Sequence, residues 1–399
     1  MFKIFFRIIL FLVVGFFIQC ESSPLYHAEI IQEGCFECFA ENTTYDNGKL
    51  VSCELSGVTY YKNQLMFIDD KPIPGTSSIF SLCYQIPFGK PTFLGNEIVK
   101  NARKYEDISL TPHQKYIFAI TSFDRYKEQD ATTDAYNVLI YGESSQSDSQ
   151  KIAYPTYKTT GISSLRLRPI FRHALRSLKY KDGPPYFKIE GLATLPGNII
   201  LFGIREIGTG YTDFDYTVTI IGAHYGIKNN IFYFEDSPRI VFQFNPKDID
   251  SSLNHPLGLS SLEYDTFNKR LYILTSYEHG ETDIDVGAYL WIVPLKKFLL
   301  KEQKMRYSQR PRKYKLNIGK QLRGQYKLEI ESKPILVRTK ENFPLHFAHK
   351  AEGIAVLEDN TVFIVHDDDR ILGREFISDK NNQFSRKLNQ AAYSIVQFE

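Results

Sequence analysis

The chain has 399 residues and a formal charge of +2, with charged residues at 24%. That near balance excludes the basic footprint of a nucleic-acid binder, and a chain this long buries a sizeable core. Aromatic residues make up 14%, as 30 Phe and 26 Tyr against a single Trp, a usage that favours packed strands over helices.

At the N-terminus, Lys3 and Arg7 flank the start of an apolar run from Ile8 to Ile18, too short for a spanning helix and of the size of a signal-peptide core. Residues 1–22 are therefore read as an export signal and 23–399 as one domain. Two processing routes compete. Cys20 stands where a bacterial lipoprotein carries its lipid and would attach the protein to a membrane, although Gln19 is larger than the small residue expected before it; the other route is cleavage after Ser22. Either leaves Cys35, Cys38, Cys53 and Cys83, which outside the cytoplasm read as up to two disulfides. The Cys35-Phe36-Glu37-Cys38 spacing also suits redox or zinc chemistry, but no βαβ pattern surrounds it. Asn42-Thr43-Thr44 is a glycosylation acceptor in a eukaryotic source.

A short phrase then recurs along the chain. It opens weakly at Leu55-Ser56-Gly57-Val58 with Gln64–Ile68, and again at Asp107-Ile108-Ser109-Leu110 with Tyr116–Ile120. It is clearest at Lys188-Ile189-Glu190-Gly191-Leu192-Ala193 with Asn198–Gly203. It returns at Leu259-Ser260-Ser261-Leu262 with Arg270–Leu274, and at Ala351-Glu352-Gly353-Ile354-Ala355 with Thr361–Val365. Each copy is two short apolar strands joined by a polar turn, hence a hairpin. A third strand follows each: Ile79–Cys83, Ala135–Ile140, Ile240–Phe244, Ala288–Val293 and Ala392–Val396. Repeated hairpins that cannot bury their own faces must stack, which predicts an all-β fold, a β-propeller.

Successive hairpins begin about 50 to 90 residues apart, longer than a blade needs. The gap from Lys296 to Phe347 contains two strand-like runs, Tyr326–Ile330 and Ile335–Arg338, so six blades are expected, with five as the alternative. Helix is confined to His173–Lys179 and Pro294–Gln303. The basic stretches Arg166–Lys181 and Lys304–Lys315 read as solvated loops, with anionic-surface binding as the sharper alternative. Because the last strand stops at Glu399, the final blade should need a strand from near the N-terminus.

The chemistry is expected at the hairpin ends, which form a funnel around the central channel. Aligning the two best copies sets Glu190 opposite Glu352 and Arg205-Glu206 opposite Asp367-Asp368. The other copies add Asp69-Asp70, Asp124 and Glu278. Converging carboxylates can hold a hard cation such as Ca²⁺, share a proton as acid and base, or pin the ring by accepting backbone N–H groups. The run Asp367-Asp368-Asp369 is either a cation site or a solvated loop. His346, His349 and His366 lie near these ends, and scattered His are more often packing residues. No nucleophile elbow, Walker loop, dinucleotide fingerprint or His-Glu-x-x-His motif is present.

The phrases Ile189–Ala193 with Leu201–Arg205, and Lys350–Ala355 with Val365–Asp368, resemble a family of bacterial propellers of unknown function related to the esterase-like-activity-of-phytase family. The resemblance covers about Lys188–Arg205 and Lys350–Asp369. It implies a propeller, and by analogy calcium-dependent phosphoesterase activity, although the dense calcium-site motifs of phytase-like enzymes are lacking here. Two expectations follow. The first is an exported or lipid-anchored monomer, in the periplasm, cell envelope or outside the cell, that binds a small anionic ligand or an envelope protein at its funnel without turnover. The second is a calcium-assisted ester hydrolase with Glu190, Arg205, Glu206 and Glu352 as catalytic groups and Asp69, Asp70, Asp367, Asp368 and Asp369 as metal ligands, Arg205 taking the substrate anion.

Overall fold

The computed structural model describes residues 25–94, 97–125, 131–144, 151–152, 164–279, 285–308, 328–367, 375–379 and 382–399. Cys20, Asp368 and Asp369 lie outside the described residues, as does the export signal.

The first strand, β1 (Ala28–Glu37), belongs to the last blade. Blade 1 is built from β2 (Leu55–Tyr61), β3 (Gln64–Asp69), β4 (Ile79–Cys83) and the two-residue edge β5 (Thr92–Phe93). After a short helix α1 (Glu97–Asn101), blade 2 follows as β6 (Tyr105–Leu110), β7 (Tyr116–Thr121), β8 (Leu139–Glu143) and β9 (Lys151–Ile152). Helix α2 (Leu167–Ala174) leads into blade 3, whose strands are β10 (Tyr186–Leu195), β11 (Ile199–Gly210), β12 (Asp213–Lys228), β13 (Ile231–Phe234) and β14 (Arg239–Phe244).

One turn of helix, α3 (Pro246–Ile249), precedes blade 4, made of β15 (Gly258–Asp265), β16 (Arg270–His279) and β17 (Asp285–Pro294). After helix α4 (Lys296–Ser308), its outer edge is completed by β18 (Ile335–Leu336) and β19 (His346–Phe347). Blade 5 comprises β20 (Ala351–Glu358) and β21 (Thr361–His366), then a separate hairpin of β22 (Glu375–Asp379) and β23 (Asn382–Ser385), then β24 (Gln390–Phe398).

The ring therefore has five blades, the alternative count, and not six. The runs expected to form a sixth blade are drawn into their neighbours: β18 pairs with β17, and the Ile330 N–H donates to the Val241 carbonyl of blade 3. In blade 3 the third strand is β12, and the run expected there, Ile240–Phe244, lies one place farther out as β14. In blade 2, Ala131–Tyr136 forms a 3₁₀ helix, so the strand begins only at Leu139. The helix expected over His173–Lys179 starts earlier, and Arg168 within that basic stretch is buried over the Phe187 ring rather than solvated.

Closure is the expected one. Strand β1 pairs antiparallel with β24 from Ala28↔Phe398 to Glu37↔Gln390, giving blade 5 the order β1, β24, β21, β20 from outside to inside. A propeller closed this way has no exposed seam in its final blade. Polar contacts reinforce it: Ser394 Oγ donates to Glu33 at 3.2 Å and shares a hydrogen bond with His366 Nε2 at 2.8 Å. The chain leaving β1 is held by the disulfide Cys38–Cys53, and Cys35 and Cys83 form none, so among the described residues one bridge forms of the up to two expected. That bridge closes a loop of 15 residues, a size for which loop-closure entropy is worth about 3 kcal/mol.

Aromatic and branched side chains fill the spaces between blades. Phe36, Phe67, Phe363 and Tyr393 join blades 1 and 5, and Phe118, Phe171, Phe202 and Phe232 join blades 2 and 3. Since Val396 is paired on both sides, with Ile30 and with Val362, deleting Val396–Glu399 should lower the melting temperature of the whole ring in one cooperative step. Circular dichroism melts check this; an unchanged transition refutes it.

Candidate functional site

The five inner strands β2, β6, β10, β15 and β20 surround the central axis, each touching the next. All five carry a β-bulge at the equivalent position. The register skips Ser56, Glu106, Glu190, Ser260 and Glu352 in turn. A bulge leaves one residue without a cross-strand partner and re-aims its side chain. Arg205 is also skipped, on β11 opposite Glu190, which explains why the two meet.

The residue after each bulge is small in four blades, and the spacing requires it in at least two. A Cβ on Gly353 would lie 2.8 Å from Gly57 Cα, and one on Gly57 would lie 2.9 Å from Asp107 Cα. The exception is Asp107 in blade 2, whose carboxylate crosses to blades 3 and 4. Its Oδ2 accepts from Leu192 N at 2.7 Å, Ser261 Oγ at 3.1 Å and Leu262 N at 3.3 Å, and its Oδ1 accepts from Ile108 N at 2.8 Å. Complete burial pushes this carboxyl well above the usual range against those donors. The two bulge serines stitch two further joints: Ser56 Oγ donates to the Tyr105 carbonyl at 2.5 Å and Ser260 Oγ to the Ala351 carbonyl at 2.8 Å.

At one end of the channel sits a network of buried ions. Three bulges carry Glu, and in each a Lys stands two residues earlier, as Lys104-Tyr105-Glu106, Lys188-Ile189-Glu190 and Lys350-Ala351-Glu352. Lys104 binds Asp124 at 2.8 Å and approaches Glu106 at 3.8 Å. Lys188 pairs with Glu190 and lies 3.6 Å from Glu106 in the neighbouring blade. Lys350 binds Glu352 at 2.6 Å and lies 3.6 Å from Asp367 and 4.0 Å from Glu278. Arg205 Nη1 is 2.9 Å from Glu190 and donates to Ser276 at 2.8 Å, while its Nε is 3.8 Å from Glu206. Glu206 accepts from the Tyr186 hydroxyl at 2.5 Å. In blade 1, Lys71 bridges Glu54 at 2.6 Å and Asp70 at 3.3 Å.

The expected catalytic set is thus brought together: Glu190, Arg205 and Glu206 touch, and Glu352 interacts electrostatically with Glu190 and Arg205. The expected metal set is dispersed. Asp69 is wholly buried and engaged by Glu54 N and Lys71 N, Asp70 faces Lys71, and Asp367 faces Lys350. Among the described residues, no group of three His, Cys, Asp or Glu is arranged to hold a metal ion.

Burial opposes charge throughout this network, and its neighbours decide who keeps one. At Glu190 burial is outweighed by Arg205, Lys188 and Lys350, which bring the carboxyl down to about 2. At Asp124 burial is likewise outweighed, chiefly by Lys104, so this group is lowered. At Glu352 and Glu106 burial wins and both are raised, Glu106 well above the usual range. Five side chains of this site, Lys104, Glu106, Asp107, Lys188 and Lys350, were not among the expected site residues, although Asp107 and Lys188 open two copies of the repeat. The recurring Lys-x-Glu at 104–106, 188–190 and 350–352 is the signal that finds four of them.

Two outcomes test this account. Asp107→Ala should lower unfolding stability in denaturant by about 3 kcal/mol or more, because four donors lose their acceptor, and Asp107→Asn by less, because one acceptor oxygen survives. Glu190 falls from an ordinary 4.5 to about 2. Its charge therefore contributes stability that is fully present above pH 4.5 and lost as pH falls toward 2. The fall in melting temperature across that window should be shallower in Glu190→Gln.

No family model matches the chain, and no curated protein does either. Among solved structures, the chain aligns with a member of the DUF4221 family from Bacteroides vulgatus at 8% identity and TM-score 0.34, covering 94% of this chain and 99% of that one. A DUF4623 family protein from Bacteroides eggerthii aligns at 7% identity and TM-score 0.34, covering 94% and 77%. The tricorn protease aligns at 14% identity and TM-score 0.29 over 87% of this chain; the chain spans 28% of its length. At such scores these alignments carry no argument about function.

Proposed function

We propose that this chain is an exported propeller that binds a cationic group of a ligand or partner protein on the acid-rich floor of its channel, without turnover there. The observation that carries this reading is the state of Arg205. The guanidinium expected to take a substrate anion has a side chain only 3% exposed, is held between Glu190, Glu206 and Ser276, and lies over the Tyr216 ring. An Arg so engaged is a structural cation.

The remaining charge also points to a positive partner. The floor gathers Glu54, Asp69, Asp70, Glu106, Asp124, Glu190, Glu206, Glu278, Glu352 and Asp367 against Lys71, Lys104, Lys188, Arg205 and Lys350. Burial raises Asp69, Glu106 and Glu352 and works against their charge; the seven other acids still outnumber the five cations, which favours an ammonium or guanidinium over the small anion expected from the sequence. Export is supported by the leader-like start and by the Cys38–Cys53 disulfide, which persists in oxidising compartments. No helix among the described residues is long and apolar enough to cross a membrane. Attachment through a lipid on Cys20, or cleavage after Ser22, is decided by the mass of the mature N-terminus. The phytase-like calcium-dependent phosphoesterase remains the competing reading.

The deciding experiment uses the chelator-treated protein, melted with and without Ca²⁺ and with and without a lysine-rich peptide, alongside hydrolysis of p-nitrophenyl phosphate and p-nitrophenyl acetate. A binding propeller should gain melting temperature with the peptide, less so in Asp70→Asn, and should hydrolyse neither ester. Calcium-dependent hydrolysis that vanishes in Arg205→Ala would overturn the reading in favour of the phosphoesterase.

A further inference from the structure

A recess of about 540 Å³ lies between blades 3 and 4. Its walls come from β12 (Tyr216 to Val218), from the end of β14 and the start of α3 (Gln243 to Lys247), and from the loop entering β15 (His255 to Leu257). The volume is in the range of small-molecule sites, roughly 300–1,000 Å³. It is a different environment from the charged floor, from which Tyr216 separates it: one side of that ring meets the Arg205 guanidinium, 5.1 Å from the centroid.

We propose that this recess binds a neutral saccharide. Three properties of the lining carry the assignment. No carboxylate lines it, and its one cation, Lys247, is turned to the Asn254 carbonyl at 3.1 Å. A phosphate, a carboxylate or an amine therefore finds no counter-charge built for it. Tyr216, Phe244, Pro246 and Pro256 offer flat apolar surfaces of the kind that pack against the C–H face of a sugar ring. Besides His255, whose Nε2 faces Asp285, the polar groups are Gln243, Thr217, Asn245 and the Tyr216 hydroxyl, amides and hydroxyls that both donate and accept, as sugar hydroxyls do.

The walls are also held in place before any ligand arrives. His255 stacks on Tyr277 with ring centroids 4.1 Å apart and planes 7° from parallel, and its Nε2 lies 3.3 Å from Asp285. Phe244 packs edge-on against Trp291 at 5.0 Å. The Asn245 side chain caps α3 by accepting from Lys247 N at 3.2 Å, leaving Gln243, on an exposed stretch of β14, as the amide most available to a ligand. Pre-set walls lower the ordering cost of binding.

The test is saturation-transfer NMR and titration calorimetry on the full chain with maltose, cellobiose and N,N′-diacetylchitobiose, and with adenosine and glucose 6-phosphate as comparators. At least one neutral disaccharide should bind, its ring C–H protons receiving saturation. Gln243→Ala and the near-isosteric Thr217→Val should each weaken it about fivefold or more, with the melting temperature unchanged in Gln243→Ala. The proposal is overturned if no neutral saccharide binds, if binding survives both substitutions, or if adenosine or the sugar phosphate binds more tightly than every neutral sugar. None of these outcomes depends on what the charged floor binds.

Discussion

The ring is organised around one buried carboxylate. Asp107 sits on the axis where the five inner strands come closest, and it is accepted there because its neighbours on the same level are Gly57, Gly191, Ser261 and Gly353. From that position it binds two backbone N–H groups and a hydroxyl from two other blades. The donors at Leu192 and Leu262 lie on the innermost strands β10 and β15, which pair with no further strand on the axial side. A buried donor without a partner costs about as much as the hydrogen bond it would have made, and the Asp107 carboxylate supplies that partner.

The bulges of the inner strands generate the ion network. A bulge residue aimed at the axis is surrounded by its counterparts from other blades, and in three blades that residue is Glu. Three buried acids converging on one another would repel. The Lys two positions earlier in each strand, together with Arg205, supplies the compensating charge. The result is a rigid, mutually neutralising floor with a surplus of acid. Its charged groups are committed to one another, and the least enclosed pair is Lys71, with a side chain 42% exposed, beside Asp70 at 16%. The phosphoesterase reading needs the opposite arrangement, with Arg205 left for the substrate anion.

Much of this was legible in the sequence. The hairpins appear in the repeat because both strands and the turn are local, and the equivalence of Glu190 with Glu352 follows from the Gly after each. The acidic bulge in blade 2 was hidden because Asp107 stands where the phrase elsewhere has Gly or Ser, so Glu106 fell outside the aligned copy. Strand β12 was hidden by its length and by the run Asp213-Phe214-Asp215-Tyr216, whose charges read as a loop but face out of an antiparallel pair. The order of blade 5 was legible because its hairpin and third strand leave the outermost place to a segment from elsewhere in the chain.

The amino-acid sequence by itself determined the architecture: alternating apolar strands, hairpin turns and a last strand awaiting the first are local patterns, and hairpins with one unburied face have to stack. Tertiary structure alone decided the number of blades, the one disulfide among the described residues and the pairing of their buried ions. Each of these depends on which segments meet after the ring closes. A strand such as Ile335–Leu336 joins whichever edge is open beside it, and a Lys or Glu takes its charge state from neighbours in other blades, tens to hundreds of residues away along the chain.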